Sequence, residues 1–242
     1  MIGIVPAAGL GERMKSITHG RSKEALPLGD RTVLDYVLDE LFACPVDRVI
    51  VVSRREKLDI EEIVARRTES IDLKFQSEPC GLMDAIGAAG VVEDSLIALP
   101  DTLFSKPILQ DFTSDLKFRD GSICVQNVSD ADVSNYGIVE LEPGSMMARK
   151  FVEKPRPEEV KSRCAIAARY FLTDRVMRLI RAKCRSESFG EPLVEVFNDG
   201  LQHQMVFTTY CIPNEIKRFD CGSIEGYEQA RAYFEIQGGF SS

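Results

Sequence analysis

The chain has 242 residues, 44% of them hydrophobic and 28% charged, which is typical of a globular protein large enough to bury its own core. Its formal net charge of -8 argues against a general nucleic-acid-binding surface or a surface for anionic membranes. No apolar run reaches the ~20 residues of a membrane-spanning helix, and the opening MIGIVPAAG lacks the features of a signal peptide, so we expect a cytoplasmic protein with no membrane partner.

The first half of the chain alternates apolar strands with amphipathic helices. The expected strands are 2–6, 48–53, 73–76 and 95–101, and the expected helices are 32–42, 57–67 and 81–92. This alternation is typical of a mainly parallel sheet with helices on both faces, because parallel neighbours are joined by crossover helices.

The second half of the chain is richer in strands. The pattern predicts strands at 122–128, 136–142, 148–155, 165–172 and 205–212, and helices at 174–184, 191–202 and 223–237. The sequence shows no repeat and no linker. We therefore predict one α/β domain over 1–242, with a Rossmann-like sheet in about 1–120 and β-rich insertions in about 121–242.

A glycine-rich loop follows the first strand, in the segment GLGERM at 9–14. Such a loop offers backbone N–H groups to an anion. A dinucleotide fingerprint is incomplete, because Met14 takes the place of its third glycine, and a Walker loop is excluded because no G-K-[ST] follows. Arg13 and Lys23 point to a nucleoside triphosphate, whose charge of about minus four needs cationic side chains. A solvated basic loop is the alternative.

GLGERM followed by SKEALPL resembles the signature of the sugar-1-phosphate nucleotidylyltransferases, also called nucleotide-sugar pyrophosphorylases. The likeness covers nearly the whole chain and is strongest to the uridylyl- and thymidylyltransferases that act on glucose 1-phosphate. It implies the nucleotide-diphospho-sugar transferase fold, Mg²⁺ as cofactor, and nucleotidyl transfer from UTP or dTTP to a sugar 1-phosphate. It makes Arg13 and Lys23 catalytic charges. It places nucleotide-binding backbone at three residues, Ala8, Gly9 and Gly11.

The segment FQSEPCGL at 75–82 matches the part of the family signature that reads the base. The resemblance assigns nucleotide binding to Gln76 and to the backbone of Gly81. A glutamine amide donates and accepts hydrogen bonds at once, which suits the edge of uracil or thymine. Without the resemblance, Gln76 would be read as a strand cap and Gly81 as a helix start.

Two acids follow extended segments in LPDTLF at 99–104 and RFDCGS at 218–223. Asp101 stands where α/β proteins bind ligands, at the carboxyl edge of the sheet. The resemblance makes Asp101 and Asp220 joint Mg²⁺ ligands and also places Asp101 at the sugar phosphate. Two carboxylates suit Mg²⁺, which keeps waters and substrate phosphates as its other ligands. Taken alone, each acid would be a cap or turn residue.

The sugar half of the signature appears as YGIV at 136–139 and VEKP at 152–155. The resemblance makes Lys154 the third catalytic residue, on the sugar phosphate. It places Glu153 on the sugar hydroxyls and the backbone of Gly137 against the sugar ring. A charged turn before proline is the alternative for the second segment.

Three positions depart from the family pattern. Glu12 replaces a Thr or Ser, and we expect it to point outward and pair with a base such as Lys15. Ala168 replaces a glycine and narrows the expected sugar site, and Glu195 with Val196 replaces a Thr-Asp pair. The transfer chemistry survives these changes, whereas the identity of the sugar stays open.

Two other functions fit parts of the same pattern. A cytidylyltransferase that makes a CDP-alcohol shares the opening A-A-G-x-G-x-R-M, and a non-catalytic sugar-nucleotide sensor would share the fold. The motifs EKP, YGIV and DCGS belong to the sugar enzymes and argue against the cytidylyltransferase. The complete set of charged motif residues favours catalysis over a sensor. The sequence does not separate UTP from dTTP, and it leaves open whether the chain forms a homo-oligomer, as relatives commonly do.

Overall fold

The computed structural model describes residues 1–78, 80–114, 116, 119–185 and 190–237. The helices are α1 (Lys15–Thr18), α2 (Val33–Phe42), α3 (Leu58–Ala65), α4 (Leu82–Ala88), α5 (Leu109–Ser114), α6 (Asp174–Arg185), α7 (Leu193–Gln202) and α8 (Ile224–Gln237). The strands of the first half are β1 (Ile2–Pro6), β2 (Pro27–Leu28), β3 (Arg31–Thr32), β4 (Arg48–Ser53), β5 (Ile71–Phe75), β6 (Ser95–Ala98) and β7 (Thr102–Phe104). Those of the second half are β8 (Gly121–Asn127), β9 (Gly137–Leu141), β10 (Ala148–Glu153), β11 (Cys164–Leu172), β12 (Phe207–Cys211) and β13 (Arg218–Asp220).

In the described residues, nine strands form one mixed sheet. Its path runs β10-β9-β11-β6-β1-β4-β5, and β8 pairs with both β11 and β12. The pairs β6-β1, β1-β4 and β4-β5 are parallel, as the alternating pattern predicts. Strand β11 runs antiparallel to β6, β8 and β9, so it joins the parallel half to the β-rich half.

Helices cover both faces of this sheet. One apolar cluster holds α2, α3, α5 and α8 against it, and a second holds α4, α6 and α7. Strand β1 shows the division, because Val5 packs into the first cluster and Ile4 into the second. The expected layered α/β architecture is therefore confirmed. Both halves of the chain contribute strands to the sheet, and the proposed boundary near residue 120 stays a prediction.

Helix α2 begins with a capping box that the sequence encodes locally. The Thr32 hydroxyl accepts a hydrogen bond from the Asp35 backbone N–H, and the Asp35 carboxylate accepts one from the Thr32 backbone N–H. Two backbone donors that the helix cannot satisfy are thus paired. The Asp35 carboxylate also lies against Arg66 and Arg67, which ties α2 to the end of α3.

The boundaries differ most from the prediction where elements are short. The expected strand 95–101 ends at Ala98, and a separate strand, β7, starts at Thr102. The β2-β3 hairpin and α5 had no periodic signal, because each is too short to show one. No helix in the described ranges is long and apolar enough to cross a membrane.

Candidate active site

Two short strands bring together acids that are far apart in the sequence. Strand β7 pairs antiparallel with β13, so that Asp220 lies opposite Thr102. The backbone N–H of Cys221 donates to the carbonyl of Asp101 at 2.8 Å. The two aspartates of the LPD and RFD motifs are therefore neighbours, as the resemblance implies.

Gly222 shows how closely the charged side chains converge. A Cβ atom at this position would lie 2.9 Å from Oδ1 of Asp220, 3.1 Å from Oδ2 of Asp101 and 3.3 Å from Nη2 of Arg13. Only a residue without a side chain leaves the space between these groups open. The Gly222 backbone N–H also donates to Asp220 Oδ1 at 2.9 Å. Arg13 and both acids thus surround one small space.

Lys23 joins this cluster through an ion pair with Asp101. Burial alone would lower the pKa of the Lys23 ammonium, but the carboxylates of Asp101, Glu24 and Asp220 raise it above its usual value. Burial would likewise raise the pKa of the Asp101 carboxyl, and the charges of Lys23 and Arg218 lower it instead. Both partners are therefore charged at neutral pH.

The donor set at this cluster fits Mg²⁺. Two carboxylates face the space beside Gly222, and the described part of the chain contains no group of three or more metal-binding side chains. Mg²⁺ suits such a site, because it binds through one or two carboxylates and completes its shell with water and substrate phosphates.

A cleft of about 320 Å³ runs from the opening loop to Asp101. The predicted nucleotide residues Ala8, Gly9, Gln76 and Gly81 line it together with Asp101. Two buried polar atoms of residues that line this cleft, Gln76 Nε2 and Glu24 Oε1, have no hydrogen-bond partner among the described residues. An unpaired buried polar atom is costly, so both atoms point to a ligand that pairs with them.

Glu24 is a cleft residue that the sequence analysis did not single out. Its Oε2 accepts a hydrogen bond from Lys57 Nζ at 2.9 Å, and the same ammonium donates to the carbonyl of Ala7 at 2.7 Å. Lys57 therefore holds the opening loop and binds one oxygen of Glu24, whereas the other oxygen has no partner among the described residues. The signal was present in SKEALP, where this acid directly follows Lys23.

The opening loop also lines an adjoining basic cavity of about 430 Å³. Gly11 lies there, with Gly9 and Lys23 shared between both cavities. Glu12 pairs with Lys15 at 2.7 Å, and both side chains are exposed. The expectation that Glu12 points outward and pairs with Lys15 is thus confirmed.

The sugar motifs line a second cleft of about 340 Å³. Gly137, Glu153 and Lys154 face it, as the resemblance implies. A Cβ on Gly137 would lie 3.0 Å from Ile166 Cδ1 and 3.3 Å from Glu153 Oε2, so a side chain would fill part of the cleft. Both clefts are lined by Gly81, Leu82 and Leu99, so they form one continuous groove.

Lys154 departs from the extended conformation predicted for 148–155. Strand β10 ends at Glu153, and Lys154 takes a left-handed backbone conformation with φ +43°. Its N–H donates to the carbonyl of Tyr136 at 3.1 Å, which holds this turn beside the YGIV motif. A lysine in this region carries strain, and such strain persists where surrounding contacts fix it.

Arg218 is a further cleft residue that the sequence analysis missed. Its guanidinium lies 4.4 Å from the centre of the Tyr136 ring, and Nη1 donates to the carbonyl of Ile166 at 3.1 Å. The buried Nε has no hydrogen-bond partner in the part of the chain that the structure describes. The RFD motif contributes Asp220 to the predicted metal ligands, and Arg218, two residues earlier, adds a positive charge to the sugar cleft.

Comparison with known proteins decides the family. The family model described as Nucleotidyl transferase matches residues 2–235, nearly the whole chain. The chain belongs to the nucleotidyl transferase family. A UTP–glucose-1-phosphate uridylyltransferase from Streptococcus pyogenes is 28% identical to it, over 97% of this chain and 88% of that protein. The resemblance drawn from the motifs is thereby confirmed.

Solved structures support the same fold. A UTP-bound UGPase from Acinetobacter baumannii superposes with a TM-score of 0.82 at 24% identity, covering 98% of this chain and 93% of that chain. A UDP-glucose pyrophosphorylase complexed with UDP-glucose gives a TM-score of 0.80 at 24% identity, with 98% of each chain covered. The expected nucleotide-diphospho-sugar transferase fold is therefore confirmed.

Two departures from the family pattern have a structural meaning. Ala168 is buried and has a left-handed backbone with φ +60°, at the irregularity of β11 between Ile166 and Tyr170. A glycine would adopt this conformation without strain. Glu195 is exposed on α7. The acid that lines the sugar cleft in this region is Glu191, whose Oε1 accepts a hydrogen bond from Lys183 Nζ at 3.1 Å.

Proposed function

We propose that this nucleotidyltransferase moves a nucleotidyl group from UTP or dTTP to a sugar 1-phosphate, with glucose 1-phosphate as the expected acceptor. The observation that carries the proposal is the continuous groove. Its nucleotide end holds Asp101 and the unpaired atoms of Gln76 and Glu24, and its sugar end holds Lys154. A two-substrate transfer needs this arrangement, because both anions must be held in line.

The nucleotide end supplies charge for the leaving group. In the proposed reaction, an oxygen of the sugar phosphate forms a bond to the α-phosphorus, and the bond from that phosphorus to pyrophosphate breaks. A phosphate oxygen is already a nucleophile, so the step needs no general base. Arg13 and Lys23 stabilise the negative charge that builds on the β- and γ-phosphates as pyrophosphate departs.

The sugar end positions the attacking phosphate. Lys154 lines this cleft, and its exposed side chain is close to Glu153 with a nitrogen–oxygen distance of 4.0 Å. We assign Lys154 to the sugar phosphate, Glu153 to the sugar hydroxyls and the backbone of Gly137 to the sugar ring. Arg218 contributes a second positive charge to the same cleft.

Asp101 and Asp220 are the residues that would hold Mg²⁺. When bound, the cation neutralises phosphate charge and orients the two substrates. Lys23 forms an ion pair with Asp101, so this carboxylate is not an unpaired charge in a partly buried site.

The unpaired atoms of the nucleotide cleft suit a pyrimidine nucleoside. The Gln76 amide donates to a carbonyl oxygen of the base, and Glu24 Oε1 accepts a hydrogen bond from a ribose hydroxyl. Gly81 and the opening-loop residues Ala8, Gly9 and Gly11 place backbone beside the nucleotide. All seven cysteines are unpaired, which is consistent with a reducing cytoplasm.

The test is pyrophosphate release from a panel of triphosphates and acceptor phosphates, with and without Mg²⁺. We expect release with UTP or dTTP and glucose 1-phosphate, and none after chelation of the cation. Lys154→Ala removes the proposed phosphate contact and reduces turnover by on the order of 10²–10³-fold. Lys150→Ala is the matched control, because Lys150 is an exposed lysine on β10, the strand that Lys154 directly follows.

The other outcomes separate the remaining functions. Release only with CTP and a non-sugar alcohol phosphate would identify a cytidylyltransferase. Tight binding of a nucleotide sugar without release from any pair would identify a sensor. Near-wild-type turnover of Lys154→Ala would remove the role assigned to this lysine.

A further inference from the structure

A charged pair that belongs to neither cleft is buried beneath the Asp101 loop. Arg169 has no exposed surface, and Glu40 on α2 is 7% exposed. Arg169 donates to Glu40 Oε2 from Nη2 at 2.7 Å and from Nε at 3.1 Å. The pair joins α2 to β11, two elements on either side of the segment that carries Asp101.

The other hydrogen bonds of Arg169 go to the Asp101 loop and its surroundings. Nη1 donates to the carbonyl of Leu99 at 3.3 Å and to that of Ala168 at 3.1 Å, while Nη2 donates to the carbonyl of Thr102 at 2.9 Å. Leu99 and Thr102 flank Pro100 and Asp101 in the sequence. One planar guanidinium therefore fixes both ends of the turn that presents the metal-binding carboxylate.

Glu40 uses both of its oxygens. While Oε2 binds Arg169, Oε1 accepts hydrogen bonds from the backbone N–H groups of Ile108 and Leu109 at 2.9 and 3.1 Å. These donors lie at the start of α5, where helix N–H groups lack internal partners. The carboxylate thus anchors the arginine to two helices and sets its orientation.

Stability alone is a weak reason for such a pair. Desolvating two charges is costly, and apolar residues of similar size often serve a core as well or better. A guanidinium offers what apolar residues cannot, which is several donors in a fixed plane aimed at separate carbonyls.

We propose that Arg169 and Glu40 are positioning residues that hold the 99–102 loop so that Asp101 faces Asp220. The proposal rests on the metal-binding role of Asp101 in the proposed function. Neither residue touches a substrate, and both act through the backbone on either side of Asp101.

Hydrogen exchange in the full-length protein tests the positioning directly. In Glu40→Gln, one carboxylate oxygen becomes an NH₂ group, which cannot accept hydrogen bonds from Arg169 or from the backbone N–H groups at the start of α5. Arg169→Lys keeps the positive charge but loses the planar set of donors. In both variants we expect amides of the 99–102 loop to exchange on the order of tenfold faster, because one or two of its restraints are lost. Exchange in β1, at the sheet centre, stays as in the wild type.

Asp35→Asn is the matched control for loss of a buried carboxylate from α2. Asp35 lies on the same helix as Glu40 and is bound to Thr32, Arg66 and Arg67, away from the loop. We expect it to leave loop exchange and the Mg²⁺ concentration for half-maximal turnover unchanged. Glu40→Gln raises that concentration and lowers kcat on the order of tenfold, since Asp101 is less well placed.

The outcomes distinguish this inference from the proposed function. Unchanged loop exchange in folded Glu40→Gln overturns the positioning role, as does an equal rise in Asp35→Asn. Faster loop exchange in both Glu40→Gln and Arg169→Lys supports the positioning role. This holds even if the wild type releases pyrophosphate with no substrate pair, a result that would overturn only the proposed function.

Discussion

Lys23 and Asp101 form an ion pair in the wall of the nucleotide cleft, although the first is proposed to bind phosphate and the second a cation. Each group neutralises the charge of the other. When a triphosphate and its cation bind together, the triphosphate supplies a negative charge to pair with Lys23 and the cation supplies a positive charge to pair with Asp101. The pair therefore keeps the site charged without leaving either side chain uncompensated.

Replacing Lys23 should separate catalysis from folding. Lys23→Met removes the proposed phosphate contact, and we expect kcat to fall on the order of 10²–10³-fold. Circular dichroism should show a folded protein, because the methionine keeps the packing of the lysine stem. Lys15→Met is the control, since Lys15 is exposed and bound only to exposed Glu12. A Lys23→Met enzyme as active as Lys15→Met would contradict the assignment.

Gln76 offers a test in which stability and affinity move apart. Its buried Nε2 lacks a partner, so Gln76→Leu removes an unsatisfied group and should leave the melting temperature unchanged or higher. Affinity for UTP, measured by calorimetry, should fall by about tenfold, because one hydrogen bond to the base is lost and its partner is left unpaired. A lower melting temperature with unchanged affinity would show that Gln76 serves the fold instead.

At Ala168, replacing alanine with glycine should not lower the free energy of unfolding, unlike the same replacement at most buried positions. Its left-handed backbone is strained, so Ala168→Gly relieves about 1 kcal/mol and offsets the entropy cost of glycine. We expect urea unfolding to give a free energy equal to or above that of the wild type. Ala167→Gly, at a buried neighbour without positive φ, should lose about 1 kcal/mol. Equal losses in the two variants would refute this account.

Asp35 gives the protein an acid-dependent component of stability. Burial raises the pKa of its carboxyl, but hydrogen bonds from Thr32 and the charges of Arg66 and Arg67 lower it below the usual 3.8. The folded state therefore binds this proton less tightly than the unfolded state. The contribution is complete above about pH 4 and fades as the pH falls through the lower folded value.

Asp35→Asn should show this dependence. At pH 7 we expect it to unfold about 3 °C below the wild type, as losing about 1 kcal/mol implies. At pH 3 and below, scanning calorimetry should show a smaller difference, because the wild-type carboxyl starts to take up its proton. A difference that stays constant between pH 7 and pH 2 would exclude the proposed contribution.

The order of the elements follows from local sequence. Apolar strands alternate with amphipathic helices through the first half, and this pattern gives the parallel strands β6, β1, β4 and β5 with helices on both faces. The opening motif likewise identifies Arg13 and Lys23, because a glycine loop and two bases are neighbours in the chain. Such features depend on contacts between residues close in sequence.

What only the tertiary structure decides is which distant residues meet. Asp101 and Asp220 become neighbours through the pairing of β7 with β13, two strands of three residues each that carry no periodic signal. The unpaired oxygen of Glu24 becomes visible only once Lys57 has taken the other.

The Arg169–Glu40 pair shows the same limit most clearly. From sequence, Glu40 is an acid on an amphipathic helix and Arg169 a base in an apolar strand, and neither is expected to be buried. The sheet order brings β11 beside β6, and the chain must then satisfy the carbonyls around Asp101 from within. Local patterns determine the elements and the phosphate loop, whereas long-range pairing determines the buried charges that hold the site in shape.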